Sequence, residues 1–213
     1  MNTTHDWAAS VDHEHLEQIR GGTAVSVPHL ALEVLAYPDD EAESLGRRGK
    51  CTVTLHPDGS IEITDDGRGT DTRVDEQGAV VKKPIMATKD LRFFDAVDGP
   101  LLPDGHPRRG MSFVAALSDW LVHTNHRTNG SWTQRYEYGV PVTDLEPVAA
   151  DGTTGTTVHF LPSPSHAPNR FGAVNMPFWE GDAPQTGLGV AVGELGELDL
   201  AFAHLDITVV SLG

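Results

Sequence analysis

Residues 61–69, I-E-I-T-D-D-G-R-G, hold the densest chemistry in the sequence. Ile61 and Ile63 alternate with Glu62 and Thr64, the pattern of a half-buried strand. That strand delivers Asp65 and Asp66, with Gly67 and Gly69 leaving bare backbone beside them. A carboxylate at such a pocket mouth accepts N–H bonds and suits the exocyclic amine of a purine. A polar β-turn would carry the same letters, and that reading stays open. Glu33 sits inside an apolar helical run over 27–37. An acid there lies at the exposed edge of the helix or is held inside for chemistry. Arg108 and Arg109 precede a helix, at the wrong end of its dipole, where each costs ~0.3–1 kcal/mol. The cost makes sense if an anion is bound there; two arginines bending into solvent are the alternative. Thr156 lies in a strand reading G-T-T-V-H-F-L-P. His123 and His126 are three apart on a strand, so they face opposite sides and make a poor metal pair.

Elements must position these groups. Leu30, Val34 and Tyr37 share a helical face, with Leu32 and Leu35 beside them. Pro38 clashes with a helix running through it, at ~3 kcal/mol. The helix is therefore expected to stop near Tyr37 and restart with Pro38 in its first turn, ending at Gly46. Residues 51–55 and 60–64 read as a hairpin turned by His56-Pro57-Asp58-Gly59. A helical piece is expected over 15–20. Residues 80–91 could hold a helix after Lys83-Pro84, with Ile85, Met86 and Leu91 as its apolar side. Residues 104–121 start a helix whose buried face is Phe113, Val114, Leu117, Trp120 and Leu121. A second hairpin pairs 120–127 with 131–138 around Thr128-Asn129-Gly130.

Composition sets limits. The 213 residues suffice for one domain with a real core. A formal net charge of −16 argues against a broad nucleic-acid face. No apolar run spans a membrane, no signal-peptide pattern opens the chain, and the expected compartment is cytoplasmic. The single Cys51 excludes an internal disulfide and a cysteine-based zinc site.

In chain order, Glu33 on its helix, the 61–69 stretch, G-H-P-R-R-G at 105–110 and the Gly-Thr-Thr strand resemble the ATP-binding domain of the bacterial gyrase B protein, a member of the GHKL (Bergerat-fold) ATPases. Tyr138-Gly139-Val140-Pro141 resembles a Gly-Val-Pro segment of the same family. The resemblance runs over about residues 15–212, and at its end it implies a short helix with Leu198, Leu200 and Phe202 followed by a strand over 207–212. It implies a two-layer α/β (α+β) sandwich with a mixed, largely antiparallel sheet and helices on one face. It further implies a flexible lead over 1–14, a single ATP-binding domain over 15–213 with an ATP lid over 70–110, and no transducer or DNA-binding domain.

The resemblance also assigns roles. Asp65 is the adenine-binding carboxylate, Gly67 and Gly69 line the base, and Thr156 bonds the water beside Asp65. Arg68 and Arg127 border the pocket, where aminocoumarin-type inhibitors also bind. Gly105, Arg108, Arg109 and Gly110 stand in the phosphate loop, with Arg108 in place of its middle glycine. Lys82, Lys83, Lys89 and Arg92 make the lid basic, as phosphate contacts or as solvated surface. Glu33 stands where the family has its general base. The family pattern Glu-Val-x-x-Asn-x-x-x-Glu appears as Glu33, Val34, Tyr37 and Glu41, so the Mg²⁺-holding Asn is Tyr37. A helix break at Pro38 would move Glu41 off its family position. The Arg-Pro-Gly-Met-Tyr continuation expected after H-L-E-Q-I-R is missing, which points away from dimer clamping.

The expectation is ATP binding, with hydrolysis by Glu33 disfavoured and Mg²⁺ left open. The alternatives are a non-catalytic regulatory or binding module, acting on a gyrase or taking an aminocoumarin-like ligand, and the ATPase fragment of a split type II topoisomerase. The expected partners are a nucleotide and a gyrase or other protein, with no direct nucleic-acid or membrane contact.

Overall fold

The computed structural model describes residues 5, 11–22, 25–94, 99–128, 130–164 and 202–212. Asp12 opens helix α1 (His13–Arg20) by accepting the His15 N–H at 3.1 Å. Ser26 caps helix α2 (Val27–Leu45) by accepting the His29 N–H at 3.2 Å, with Pro28 in the first turn. Gly46 ends α2 in the left-handed conformation, φ 62°.

Strands β1 (Gly49–Leu55) and β2 (Ile61–Asp65) form the first hairpin. Strands β3 (Thr72–Val74) and β4 (Val80–Lys82) form a small separate one. Helix α3 (Met111–Ala116) leads into β5 (Ser118–His126), which pairs with β6 (Trp132–Glu137). Short strands β7 (Val140–Pro141) and β8 (Glu146–Pro147) edge β6. Strands β9 (Gly155–Pro162) and β10 (Leu205–Ser211) complete the sheet. Its order is β10-β1-β2-β9-β5-β6-β7. Only β1 and β10 run parallel among the described pairs. The sheet is therefore mixed and largely antiparallel.

Alternation decides which face is buried. Cys51, Val53, Leu55, Ile61, Ile63, Val158, Phe160 and Leu121 turn inward from the sheet. Leu16, Leu30, Leu35 and Val114 meet them from the helices in one core. At ~25 cal/mol per Å² of apolar surface, this burial is the main force holding the two layers together. Among the described residues, no helix is long and apolar enough to cross a membrane.

Three expectations are corrected. Helix α2 runs through Pro38 without stopping. The proline costs one backbone hydrogen bond, and the apolar face around it (Leu30, Val34 and Leu35, all buried) offsets the loss. Glu41 therefore keeps its place on the helix. Helix α3 ends at Ala116 rather than carrying Trp120 and Leu121. Ser118 donates its hydroxyl to the Val114 carbonyl at 2.7 Å, and the next residues alternate as a strand. Residues 83–94 hold turns, not a helix. Ile85 and Met86 are buried as expected, but Leu91 is 58% exposed. Asp90 takes the Arg92 N–H in a local turn, which competes with helix. Asn129, Leu198, Leu200 and most of the 1–14 lead lie outside the described residues.

Candidate functional site

Strands β2 and β9 are neighbours, so the end of β2 meets the start of β9. That adjacency brings Asp65 to Thr156. Asp65 Oδ1 accepts the Gly67 N–H at 2.8 Å, and Oδ2 accepts the Thr156 hydroxyl. Burial pushes the Asp65 carboxyl above the usual range, while the bonds from Thr156 and Gly67 pull it back. Asp66 has a different task. Its Oδ1 accepts the Lys50 N–H at 2.9 Å, and Arg47 pairs with it at 3.3 Å, so it closes the β1 end.

Glycine is required where the backbone comes closest. A Cβ on Gly155 would sit 2.0 Å from the Asp65 carbonyl oxygen. At Gly69, φ is 79°, and a Cβ would meet the Asn125 side chain at 2.6 Å. Asn125 Oδ1 instead accepts the Thr70 N–H at 2.6 Å. Arg68 is mostly exposed and pairs through Nε with Glu41 at 2.6 Å. Arg127 donates to the Gly69 carbonyl and to Asp71, both at 2.9 Å. These residues surround a cavity of about 500 Å³, whose apolar wall is Val34, Ile63, Met86 and Val158.

The other end of the site is built by α2 and the loop before α3. Glu33 is fully buried. Its Oε1 accepts the Arg109 N–H at 2.6 Å and its Oε2 the Gly110 N–H at 2.8 Å. Burial raises its pKa to about 7, against the pull of those two N–H groups. His29 lies one turn earlier, with Nε2 3.5 Å from Glu33 and Nδ1 2.7 Å from Asp104. The carboxyl is thus oriented by two backbone N–H groups, with a histidine engaged by a second carboxylate beside it.

Tyr37 closes this end. Its hydroxyl donates to Asp90 at 3.0 Å and accepts the Met111 N–H at 3.3 Å. Burial raises its pKa beyond any working pH, so the phenol stays protonated. Burial works to raise Asp90 too, but bonds from His5 and Arg92 outweigh it and leave the acid ionised. Arg108 is 5% exposed, packed between the rings of Tyr37 (4.7 Å) and Phe93 (4.1 Å). Its Nη1 donates to Asp40 at 2.8 Å. Its Nε and Nη2 have no hydrogen-bond partner among the described residues. A buried guanidinium with two unused donors is a strong acceptor of an anion.

These residues do not fit Mg²⁺. A neutral buried phenol is a poor ligand, and the carboxylates of Asp40 and Asp90 are already paired with Arg108 and Arg92.

The fold brings together Asp65, Gly67, Arg68, Gly69, Arg127 and Thr156 around the cavity, and gathers Glu33, Arg108, Arg109 and Gly110 into a second group, none of which lines it. Gly105 donates its N–H to the Leu102 carbonyl at 2.8 Å in a turn; like Gly67, Glu33, Arg108, Arg109 and Gly110 it does not line the cavity, and Arg109 lines a second one with His29 and Phe113. Of the basic lid residues, Lys83 and Arg92 line the cavity, whereas Lys82 lies against the rings of Trp132 and Tyr136. The sequence reading missed His29, Asp90 and Asn125. A histidine four residues before Glu33 on one helix was a usable signal. Asp90 and Asn125 carried no local one.

No family model matches the chain. It is 36% identical over 140 residues to the gyrase B protein of Thermotoga maritima, covering 64% of this chain and 21% of that protein. It is 33% identical over 138 residues to the topoisomerase 4 B protein of Bacillus subtilis, covering 64% and 21%. The chain spans about a fifth of the length of these curated relatives. Among solved structures, the topoisomerase IV ATP-binding domain of Francisella tularensis, in complex with a small-molecule inhibitor, aligns with a TM-score of 0.62 and 23% identity. That alignment covers 93% of this chain and 89% of the other, and carries the fold alone.

Proposed function

The chain is a divergent member of the GHKL (Bergerat-fold) ATPase domains of type IIA topoisomerases, and on that premise we propose that it binds an adenine nucleotide without Mg²⁺. The observation that carries this reading is Asp65. Its half-buried carboxylate is oriented by Thr156 and Gly67 at the edge of an apolar slot, with lone pairs left for the amino group of a purine. The base lies against Val34, Ile63 and Val158, with Arg68 and Arg127 at the mouth. The phosphates run toward Arg108, Arg109 and Gly110. Arg108 supplies positive charge to them through the donors it has free.

Hydrolysis is the weaker half of the reading. Glu33 has the pKa and the histidine of a general base. Yet it accepts the two N–H groups that a phosphate would need, and no residue here replaces the Asn. The reading is therefore a nucleotide-binding module that turns over slowly or not at all. Its output is a regulatory contact with a gyrase or another protein. A drug-like ligand of the aminocoumarin class, held by Asp65, Arg68 and Arg127, is the second reading, because those three residues border one cavity. A fragment of a split topoisomerase is the third.

Titration calorimetry with ATP, with and without Mg²⁺, tests the proposal alongside a phosphate-release assay. Heat that is equal in both titrations, with no release, supports it. Binding that needs Mg²⁺, or no binding of ATP or adenosine, overturns it. Co-purification with a gyrase A-like chain would favour the third reading.

A further inference from the structure

The opposite face of the sheet carries a second cluster. Glu62 and His159 are direct cross-strand partners on β2 and β9. Their neighbours Ile61, Ile63, Val158 and Phe160 point into the core, so this pair points outward, away from the nucleotide cavity. His56, from the turn after β1, stacks on His159 with ring centroids 4.6 Å apart. Trp120 meets the same ring edge-on at 4.9 Å. One ligand atom from each of His56, Glu62 and His159 lies within 4.8 Å of the others.

Hydrogen bonding fixes where the His159 proton sits. Ser60 donates its hydroxyl to Asp58 Oδ1 at 2.7 Å. Its one proton is then spent, so the 2.8 Å contact to His159 Nε2 has the imidazole donating. A neutral His159 therefore bears its lone pair on Nδ1. That atom lies 3.7 Å from Glu62 Oε2, also an acceptor. Two acceptors facing each other ask for a cation between them. His56 Nε2 is buried and has no hydrogen-bond partner among the described residues, so it is free to turn a lone pair toward such a cation.

We propose that His56, Glu62 and His159 form a binding site for a divalent transition metal of the Zn²⁺ class. Two imidazoles and a carboxylate, with a fourth position for water, suit that ion and not Mg²⁺ or Ca²⁺. Metal bonds of about 2.0–2.1 Å require ligand atoms ~3.3 Å apart, so the three side chains must close in from their present spread of up to 4.8 Å. Asp58 and Ser60 orient His159 from behind, as carboxylates orient metal-bound histidines elsewhere. The ion would pin the β1–β2 turn to β9, joining the two strands whose far ends carry Asp65 and Thr156.

The test is a Zn²⁺ titration of untagged protein, read by calorimetry and by Trp120 fluorescence, with Cu²⁺ in place of Zn²⁺ for electron paramagnetic resonance. The expected result is a saturable site that is weakened at least tenfold in Glu62→Gln and in His159→Gln, and about tenfold in Ser60→Ala. Cu²⁺ should show coupling to two nitrogens, falling to one in His56→Gln. His56 lies in a turn and is half-buried, so this variant decides the matter if His159→Gln fails to fold. Zn²⁺ bound equally well by the His56→Gln/Glu62→Gln double variant places the ion elsewhere and overturns the proposal. Absence of Zn²⁺ binding to the parent protein also overturns it.

Discussion

Gly110 gives its backbone N–H to Glu33 Oε2 at 2.8 Å, so Glu33 and the loop before α3 hold each other. Glu33 must release that N–H before a phosphate can take it. Its carboxyl is raised to about 7 from 4.5, chiefly by burial. A pKa raised on folding gives stability that is fully present below pH 4.5 and is lost as pH rises through 7. Glu33→Gln should remove that slope. Urea unfolding at pH 5 and pH 8 should show the parent losing on the order of 1–3 kcal/mol more than the variant. Equal losses would mean that the acid is not held protonated.

Asp65→Asn should weaken adenosine and ATP alike, by about 10- to 100-fold, because the purine amino group would then face another amide donor or a weaker acceptor. Calorimetry with adenosine alone isolates this end of the site. Unchanged adenosine affinity would remove Asp65 from the base contact.

Arg108→Ala separates the ends. Nε and Nη2 of Arg108 are the unused buried donors, so ATP affinity should fall about tenfold or more while adenosine changes less than about twofold. Proportionate losses of both would show that Arg108 only braces Tyr37 and Phe93.

Lys82 offers a test outside the site. Its Nζ is buried without a hydrogen-bond partner among the described residues, 4.4 Å from the Tyr136 ring centroid. Burial lowers its pKa to about 7 from 10.5. The folded state therefore sheds a proton that the unfolded chain keeps, and stability rises from pH 7 to pH 10.5. Lys82→Met should flatten that rise and raise stability at pH 7 by about 1–3 kcal/mol. A Met variant whose stability follows the parent's across this range would show that Lys82 stays charged.

Both hairpins and β9 could be read from alternation and turn residues, because period-two patterning survives single substitutions, whereas β10 and the meeting of Asp65 with Thr156 came only through the family resemblance. Residue 38 misled because a proline's local cost is readable, whereas the packing of Leu30, Val34 and Leu35 that outweighs it is not. The β3–β4 hairpin had its turn in Asp75-Glu76-Gln77-Gly78, where Asp75 Oδ1 accepts the Gln77 and Ala79 N–H groups, but its strands are short and none of their residues is buried. The partners of Arg108 were out of reach. Asp40, Tyr37 and Phe93 come to it from distant segments, and no spacing rule joins them.

The pairing of β10 with β1 has a kinetic consequence. Residue 49 lies beside residue 205, so closing this pair confines nearly the whole intervening chain. The entropy of such a closure grows only slowly with length, but it must be met before the contact returns anything. Docking of β10 therefore belongs late in folding. Until it docks, the hydrogen-bonding edge of β1 stays open to any other strand, so the newly made protein is most exposed to misassociation there.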